Sequence, residues 1–184
     1  DKPIIAVIED IGASGAYYVA AAADEIVASP VSLVGSIGVI YAGFGFEEAI
    51  ARIGVERRVL TAGENKAFLD PFQPLDEEAE QFWQGVLSQT HRQFIDDVRA
   101  GRGERLSDSP DIFSGLVWSG EQSVDLGLVD QLGSLEQVAR DRVGDTHWVD
   151  YTPSLDPFER LTRRFTQVVA EVLGVSAPAT PLRF

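Results

Sequence analysis

Ser14 stands in the stretch Asp10–Asp24, DIGASGAYYVAAAAD, between two small residues and at the head of an alanine-rich run. A serine hydroxyl is a weak nucleophile until a base takes its proton, so the chemistry open to Ser14 depends on the bases the chain holds. There are two histidines. His91 lies within a helical pattern and His147 in DTHWVDY, and either would suit a Ser-His-Asp arrangement, although a lone helix histidine reads first as a surface or interface side chain. There are two lysines, Lys2 and Lys66, and the other thirteen of the 15 Lys and Arg residues are arginines, which hold their proton at any useful pH. Lys2 falls at a strand end and reads as solvated. Lys66 is followed by Ala67, Phe68 and Leu69, an apolar setting of the kind that favours the neutral amine. An ordinary lysine, with a pKa near ~10.4, is neutral in only about one molecule in a thousand at pH ~7.4, and a base needs roughly 7–8. Residue types alone leave histidine and lysine both open.

The elements that must position these groups read as an alternating pattern. PIIAVIE is a continuous apolar run, as in a strand covered on both faces, and the glycines from Gly12 to Gly15 interrupt it. Helix formers from Ser14 to Ala23 predict a buried helix, with Tyr17 and Tyr18 in the core and Asp10 as a turn residue rather than a triad acid. DEIVASP predicts a second strand stopped by Pro30, Ile37–Tyr41 a third, and VERRVLT a fourth. A short helix at Glu47–Gly54 ends in a glycine cap. Ala62–Pro74 is a long loop carrying Lys66. Asp76 caps a long helix whose first turn is acidic, as the helix dipole prefers, and Phe82, Val86, Leu87, Phe94 and Val98 form its apolar face. A strand within LVWSG, a helix at Gly120–Leu126 and another at Leu135–Val143 follow. This order predicts a layered α/β fold with largely parallel strands. Phe158, Leu161, Phe165, Val168, Val169, Val172 and Leu173 recur at helical spacing and predict an amphipathic helix for packing or assembly. The domains expected are 1–150 and, as a helix with a flexible tail, 151–184. A strand that begins almost at the first residue suggests that the chain starts inside a larger fold.

The 184 residues suffice for one domain with a core. A net charge of −14 disfavours nucleic acid and polybasic membrane contacts, both of which need clustered Lys and Arg. With no cysteine there is no disulfide, thiolate nucleophile or Cys-ligated zinc, and no metal or cofactor is expected. No run of ~18 apolar residues spans a bilayer.

Three stretches resemble the signal peptide peptidase A (SppA) and SohB family of bacterial Ser/Lys peptidases: DIGASGAYYVAAAADEIVASPVSLVGSIGVI, TAGENKAFLDPFQPLDEEAEQFWQ and GLVWSGEQSVDLGLVDQLGSL. Ser36 and Lys66 follow Ser14 in the family's order. The resemblance implies that Ser14 is the nucleophile, Lys66 the general base, and Ser36 the hydroxyl that orients the lysine amine. The Gly15 N–H would be an oxyanion donor. It implies a ClpP/crotonase-like layered α/β fold, here N-terminally truncated and carrying a C-terminal helical extension. In the ClpP branch a histidine follows the serine at about the distance of VGSIGVIYAG, which holds none. Implied substrates are membrane-associated peptides such as remnant signal peptides, cut after small or apolar side chains. Implied too are a homo-oligomer, in which the lysine can reach a neighbour's serine, and a site on the extracytoplasmic side of the bacterial inner membrane. The family's anchor, and an upstream strand with its Gly-rich loop, lie outside this stretch, so the fragment alone is expected to be weak or inactive. Three alternatives stand beside this reading: a crotonase-like acyl-CoA enzyme, a phage-type capsid protease of the same family, and a non-catalytic assembly domain.

Overall fold

The computed structural model describes residues 2–144 together with Val149 and Tyr151. The chain divides into Asp1–Thr146 and His147–Phe184. All elements below belong to the first unit, while His147 and the amphipathic helix expected over 158–173 lie outside the described residues.

Two three-stranded sheets carry the fold. In the first, β1 (Ile5–Ile8), β3 (Glu25–Ala28) and β6 (Gln131–Leu132) lie in the order β1-β3-β6, all parallel, with Ile5 beside Glu25 and Val27 beside Gln131. In the second, β2 (Ile11–Ala13) pairs parallel with β4 (Leu33–Gly35), which pairs antiparallel with β5 (Val117–Ser119). The helices are α1 (Gly15–Ala20), α2 (Glu47–Arg52), α3 (Glu77–Arg102), α4 (Gly120–Asp125) and α5 (Leu135–Val138). The layered α/β class and the mostly parallel pairing therefore match the sequence pattern.

Local chemistry sets the boundaries. Asp76 accepts from the Ala79 N–H at 3.1 Å and starts α3, and Ser119 and Gln122 form a reciprocal capping box at α4. Gly54, at φ 73, closes the helix region of α2. Ile8, Tyr17, Ile26, Val34, Ile37, Phe94, Val98, Ile112, Leu128 and Val129 form one core between the sheets, α1 and α3. Arg102 is buried within this layer and makes a two-pronged ion pair with Asp130 at 2.7 and 2.8 Å, while its Nε donates to the Gly127 carbonyl. Asp130 also takes the Ile26 N–H at 2.7 Å, joining α3, β3 and the approach to β6.

Several expectations are corrected. The apolar run does not simply break at Gly12; after a bend at Glu9 and Asp10 it resumes as β2, because β4 offers it a partner. Helix α1 ends at Ala20 instead of running to Ala23, and Tyr18 and Val19 are exposed, so it is only half buried. Ile37–Tyr41 is not a strand. The strand comes earlier, as β4, because Gly35 and Ser36 both adopt positive φ and end it. Residues 55–61 are irregular, with Val55 and Leu60 exposed, and a lone extended segment is not held without ladder partners. On α3, Phe94 and Val98 are buried as expected, but Phe82 is exposed and Val86 and Leu87 are only half-buried.

Candidate active site

Ser14 occupies a turn with an unusual backbone. Strand β2 ends at Ala13 and α1 begins at Gly15, so one residue reverses strand into helix. That residue has φ 53 and ψ −124, a conformation costing a side-chain-bearing residue about 1–3 kcal/mol. The surroundings hold it there: the Ser14 N–H donates to the Gly35 carbonyl at 2.7 Å and the Ser14 carbonyl accepts from the Tyr18 N–H at 2.9 Å. A serine at a helix start ordinarily sits in extended backbone and caps the helix with its hydroxyl. Ser14 does neither: its side chain makes no capping hydrogen bond and is exposed. A Cβ placed on Gly15 would meet nothing within 4 Å, so the approach to the turn is open.

The turn opens into a cleft of about 720 Å³. Ser14, Gly15 and Tyr18 form one side and Gly38, Val39 and Ile40 another, while α3 closes it with Val86, Gln89, Thr90, Gln93 and Phe94. The walls are mainly apolar, and the polar groups cluster on α3. Gln93 donates to both Asp97 oxygens at 3.0 Å, and the Tyr18 hydroxyl donates to Asp97 as well. These bonds, led by that of Tyr18, hold the Asp97 carboxyl below the usual carboxylate range, and the same bond pushes the Tyr18 hydroxyl up. Tyr18, expected in the core, is thus a cleft wall, while Tyr17 is core: it is fully buried and donates to the Leu128 carbonyl at 2.8 Å.

The other candidates divide. Ser36 follows the Ala13–Gly35 register pair, so it sits beside Ser14 at the end of the parallel ladder. It is half-buried at φ 52, and its N–H donates to the Leu116 carbonyl at 2.7 Å. Two adjacent serines with positive φ at the ends of paired strands form a strained pair. Lys66 is elsewhere: it lies exposed in the turns that follow Thr61 and is not among the residues lining the Ser14 cleft. Its loop is anchored by Phe68, whose ring meets Phe82 and Trp83 edge-on at 6.0 and 5.9 Å. Within one chain the backbones of Ser14 and Ser36 are neighbours, through the Ser14 N–H bond to the Gly35 carbonyl, but neither Ser36 nor Lys66 is among the residues lining the Ser14 cleft. His91 is not among the residues lining the Ser14 cleft, and its Nε2–H donates to the Ile37 carbonyl at 3.1 Å. Asp10 is exposed between β1 and β2, where its carbonyl accepts from the Leu33 N–H. No cluster of three or more metal-ligating side chains occurs among the described residues.

Tyr18, Gln89, Gln93 and Phe94 were not identified as site residues from the sequence. A signal existed: Tyr18 lies one turn after Ser14, and Gln89, Gln93 and Asp97 place a polar stripe at i, i+4, i+8 on the face α3 turns to α1.

Residues 1–148 match the family described as peptidase family S49. The chain belongs to peptidase family S49. Its curated relatives include the Na(+)/H(+) antiporter NhaA of Brucella abortus, 49% identical over 144 residues, covering 78% of this chain and 20% of that protein. A protein named as a protease in Methanocaldococcus jannaschii is 33% identical, covering 76% of this chain and 45% of that one. The chloroplastic serine protease SPPA of Arabidopsis thaliana is 31% identical, covering 74% and 20%. The chain therefore spans from a fifth to under half the length of these relatives. An enoyl-CoA hydratase/isomerase family protein from Hyphomonas neptunium superposes with a TM-score of 0.35 at 21% identity, covering 97% of this chain and 61% of that one, too loosely to bear on fold or activity. The two sheets with α1 and α3 make a layered α/β fold, the class expected from the sequence. No helix among the described residues is long and apolar enough to cross a membrane.

Proposed function

We propose that this S49 domain is a serine endopeptidase in which Ser14 is the nucleophile, Lys66 the general base and Ser36 the hydroxyl that orients the lysine amine. The observation that carries the reading is the Ser14 turn: a strained, uncapped, exposed hydroxyl at a strand-to-helix reversal, opening into an apolar cleft. A capping serine would have extended backbone and a bonded side chain, and strain of this kind gathers at functional positions.

In this mechanism the neutral Lys66 amine takes the Ser14 proton as Oγ attacks the substrate carbonyl. The Gly15 N–H, at the first turn of α1 where backbone donors lack intrahelical partners, stabilises the oxyanion. Collapse of the intermediate breaks the peptide bond, and the lysine ammonium returns its proton to the leaving amine. Water, deprotonated by the same lysine, then hydrolyses the acyl-enzyme. Because Lys66 stands outside the cleft of its own chain, the reading assigns it to the Ser14 of a second copy, so the active form is a homo-oligomer. The apolar cleft suits membrane-associated peptides such as signal-peptide remnants, cut after small or apolar residues. The corresponding location is the extracytoplasmic face of a bacterial inner membrane, reached through an anchor outside these residues.

A fluorophosphonate probe tests the reading on the oligomeric protein. Labelling is expected in the wild type and lost in Ser14→Ala and Lys66→Ala. Lys66→Arg is expected to be as dead as Lys66→Ala, since arginine keeps its proton. Mixing Ser14→Ala with Lys66→Ala copies should restore part of the labelling if the base acts across subunits. Labelling that persists without Lys66 would remove the lysine from the mechanism.

A further inference from the structure

The cleft is larger than one side chain needs, and its most constrained wall is Tyr18. This residue lies one helical turn after Ser14 on α1, so its ring stands beside the hydroxyl in the same cleft. Two contacts fix it, and a third holds one of its partners. The ring meets Phe94 edge-on at 5.0 Å and 81°. The hydroxyl donates to Asp97, and Gln93 holds that carboxylate from the other side through both oxygens at 3.0 Å. Gln93, Phe94 and Asp97 all belong to α3, a 26-residue helix whose own position is fixed by the burial of Val98 and Arg102. A tyrosine on a surface helix turns about two torsions. Here a swing about χ1 breaks a hydrogen bond to a carboxylate, a bond stronger than one between neutral groups, and rotation about χ2 gives up the edge-on contact to Phe94.

We propose that Tyr18 is a specificity-determining residue: its clamped ring limits the size of the substrate side chain admitted beside Ser14, and Asp97 and Gln93 are positioning residues that stop the ring from yielding. Small and aliphatic side chains fit beside it, and aromatic ones collide with it. Tyr18 takes no proton in the reaction, since its hydroxyl is committed to Asp97. The inference rests on the serine-peptidase reading for the direction of the substrate, and its test separates the two.

The test measures binding of the acetylated tripeptides Ala-Ala-Ala, Ala-Ala-Leu and Ala-Ala-Phe to the full chain by calorimetry, with no turnover required. In the wild type the alanine and leucine peptides bind more tightly than the phenylalanine peptide. In Tyr18→Ala that preference shifts toward phenylalanine by about tenfold or more, the scale on which a hydrophobic pocket separates side-chain sizes. Tyr18→Leu repeats the experiment with a side chain that keeps the contact to Phe94, should the alanine variant fold poorly. Asp97→Ala, which frees the ring, moves the preference the same way. Asp97→Asn, which can still accept from the hydroxyl, keeps it near the wild-type value. An unchanged ratio in folded Tyr18→Ala and Tyr18→Leu overturns the inference, as does the absence of measurable binding of all three peptides to the wild type. Fluorophosphonate labelling of Ser14, run beside it, reports the nucleophile alone. Lost labelling with a shifted ratio removes the peptidase mechanism and keeps the Tyr18 wall, and normal labelling with an unmoved ratio does the reverse.

Discussion

A side chain that gives up backbone comfort without a bond in return marks a position kept for something other than stability. Ser14 is such a residue, since at φ 53 its side chain makes no capping contact to offset the strain, and the backbone bonds with Gly35 and Tyr18 hold it in place. Glycine occupies this backbone freely, whereas alanine keeps the strain of a Cβ. Ser14→Gly should therefore exceed Ser14→Ala in unfolding free energy by about 1 kcal/mol or more, although glycine usually loses to alanine through its greater freedom when unfolded. Urea denaturation of the two variants decides it, and equal midpoints would mean that the turn is not strained in solution. His91 illustrates the opposite case. Its ring is occupied with the Ile37 carbonyl, so it fastens the segment after Ser36 to α3. The serine and both candidate bases were visible as residue types in the sequence, but the spatial relation between them was not. Lys66 lies 52 positions beyond Ser14 in a loop whose placement depends on Phe68 packing against α3, and no periodicity encodes that packing.

Elements with a local signature were legible in the sequence, and elements defined by a partner were not. Asp76 with its acidic turn and Ser119 with Gln122 announce α3 and α4 by capping chemistry, and both helices begin where the sequence places them. The apolar run from Ile37 and the stretch VERRVLT look equally strand-like, yet neither is one, because a strand exists only where another supplies a ladder. The short β2 was hidden for the converse reason: Gly12 reads as a breaker, while in the structure a Cβ there would lie 2.5 Å from the Ile8 side chain, so glycine permits the bend that brings β2 against β4. The meeting of α1 and α3 shows a similar dependence. Alanine normally stabilises a helix over glycine by about 1 kcal/mol. At Gly101, however, a Cβ would stand 1.9 Å from the Ala21 carbonyl oxygen. Gly101→Ala is expected to lower thermal stability by an amount equivalent to about 1–3 kcal/mol, and to loosen the cleft because α1 and α3 form two of its sides. A rise in melting temperature would show that the helices part at no cost.

At the scale of the molecule, one ionic cluster joins distant parts of the chain. Arg102 is 1% exposed, and truncating it leaves Asp130 without its main partner in a poorly solvated place. Arg102→Ala should cost about 3–5 kcal/mol, measured by chemical denaturation. The acid limit of the fold follows from the same pair. Burial pushes the Asp130 carboxyl up, but the Arg102 hydrogen bonds, the Ile26 N–H and the charges of Arg102 and Arg105 outweigh it and hold the group below the ordinary range. A carboxyl lowered by folding contributes its stability above its unfolded pKa, about 3.9 for aspartate, and loses it as the pH falls through the folded value. Acid titration followed by circular dichroism should show wild type losing stability below about pH 4, and Asp130→Asn, already weaker at neutral pH, losing less over that interval. A parallel loss in both proteins would place the acid sensitivity in other carboxylates. The ends of the cluster are far apart in sequence: Asp130 ties down Ile26, the Leu128 carbonyl receives Tyr17, and the Leu116 carbonyl receives the Ser36 N–H. During synthesis the segment bearing Ser14 leaves the ribosome well before the group that fastens the helix behind it, since Leu128, whose carbonyl receives the Tyr17 hydroxyl, comes 111 residues after that tyrosine. The Ser14 hydroxyl is therefore made long before α1 can be fastened in place, and a chain broken off before Leu128 leaves the helix that follows Ser14 without that anchor.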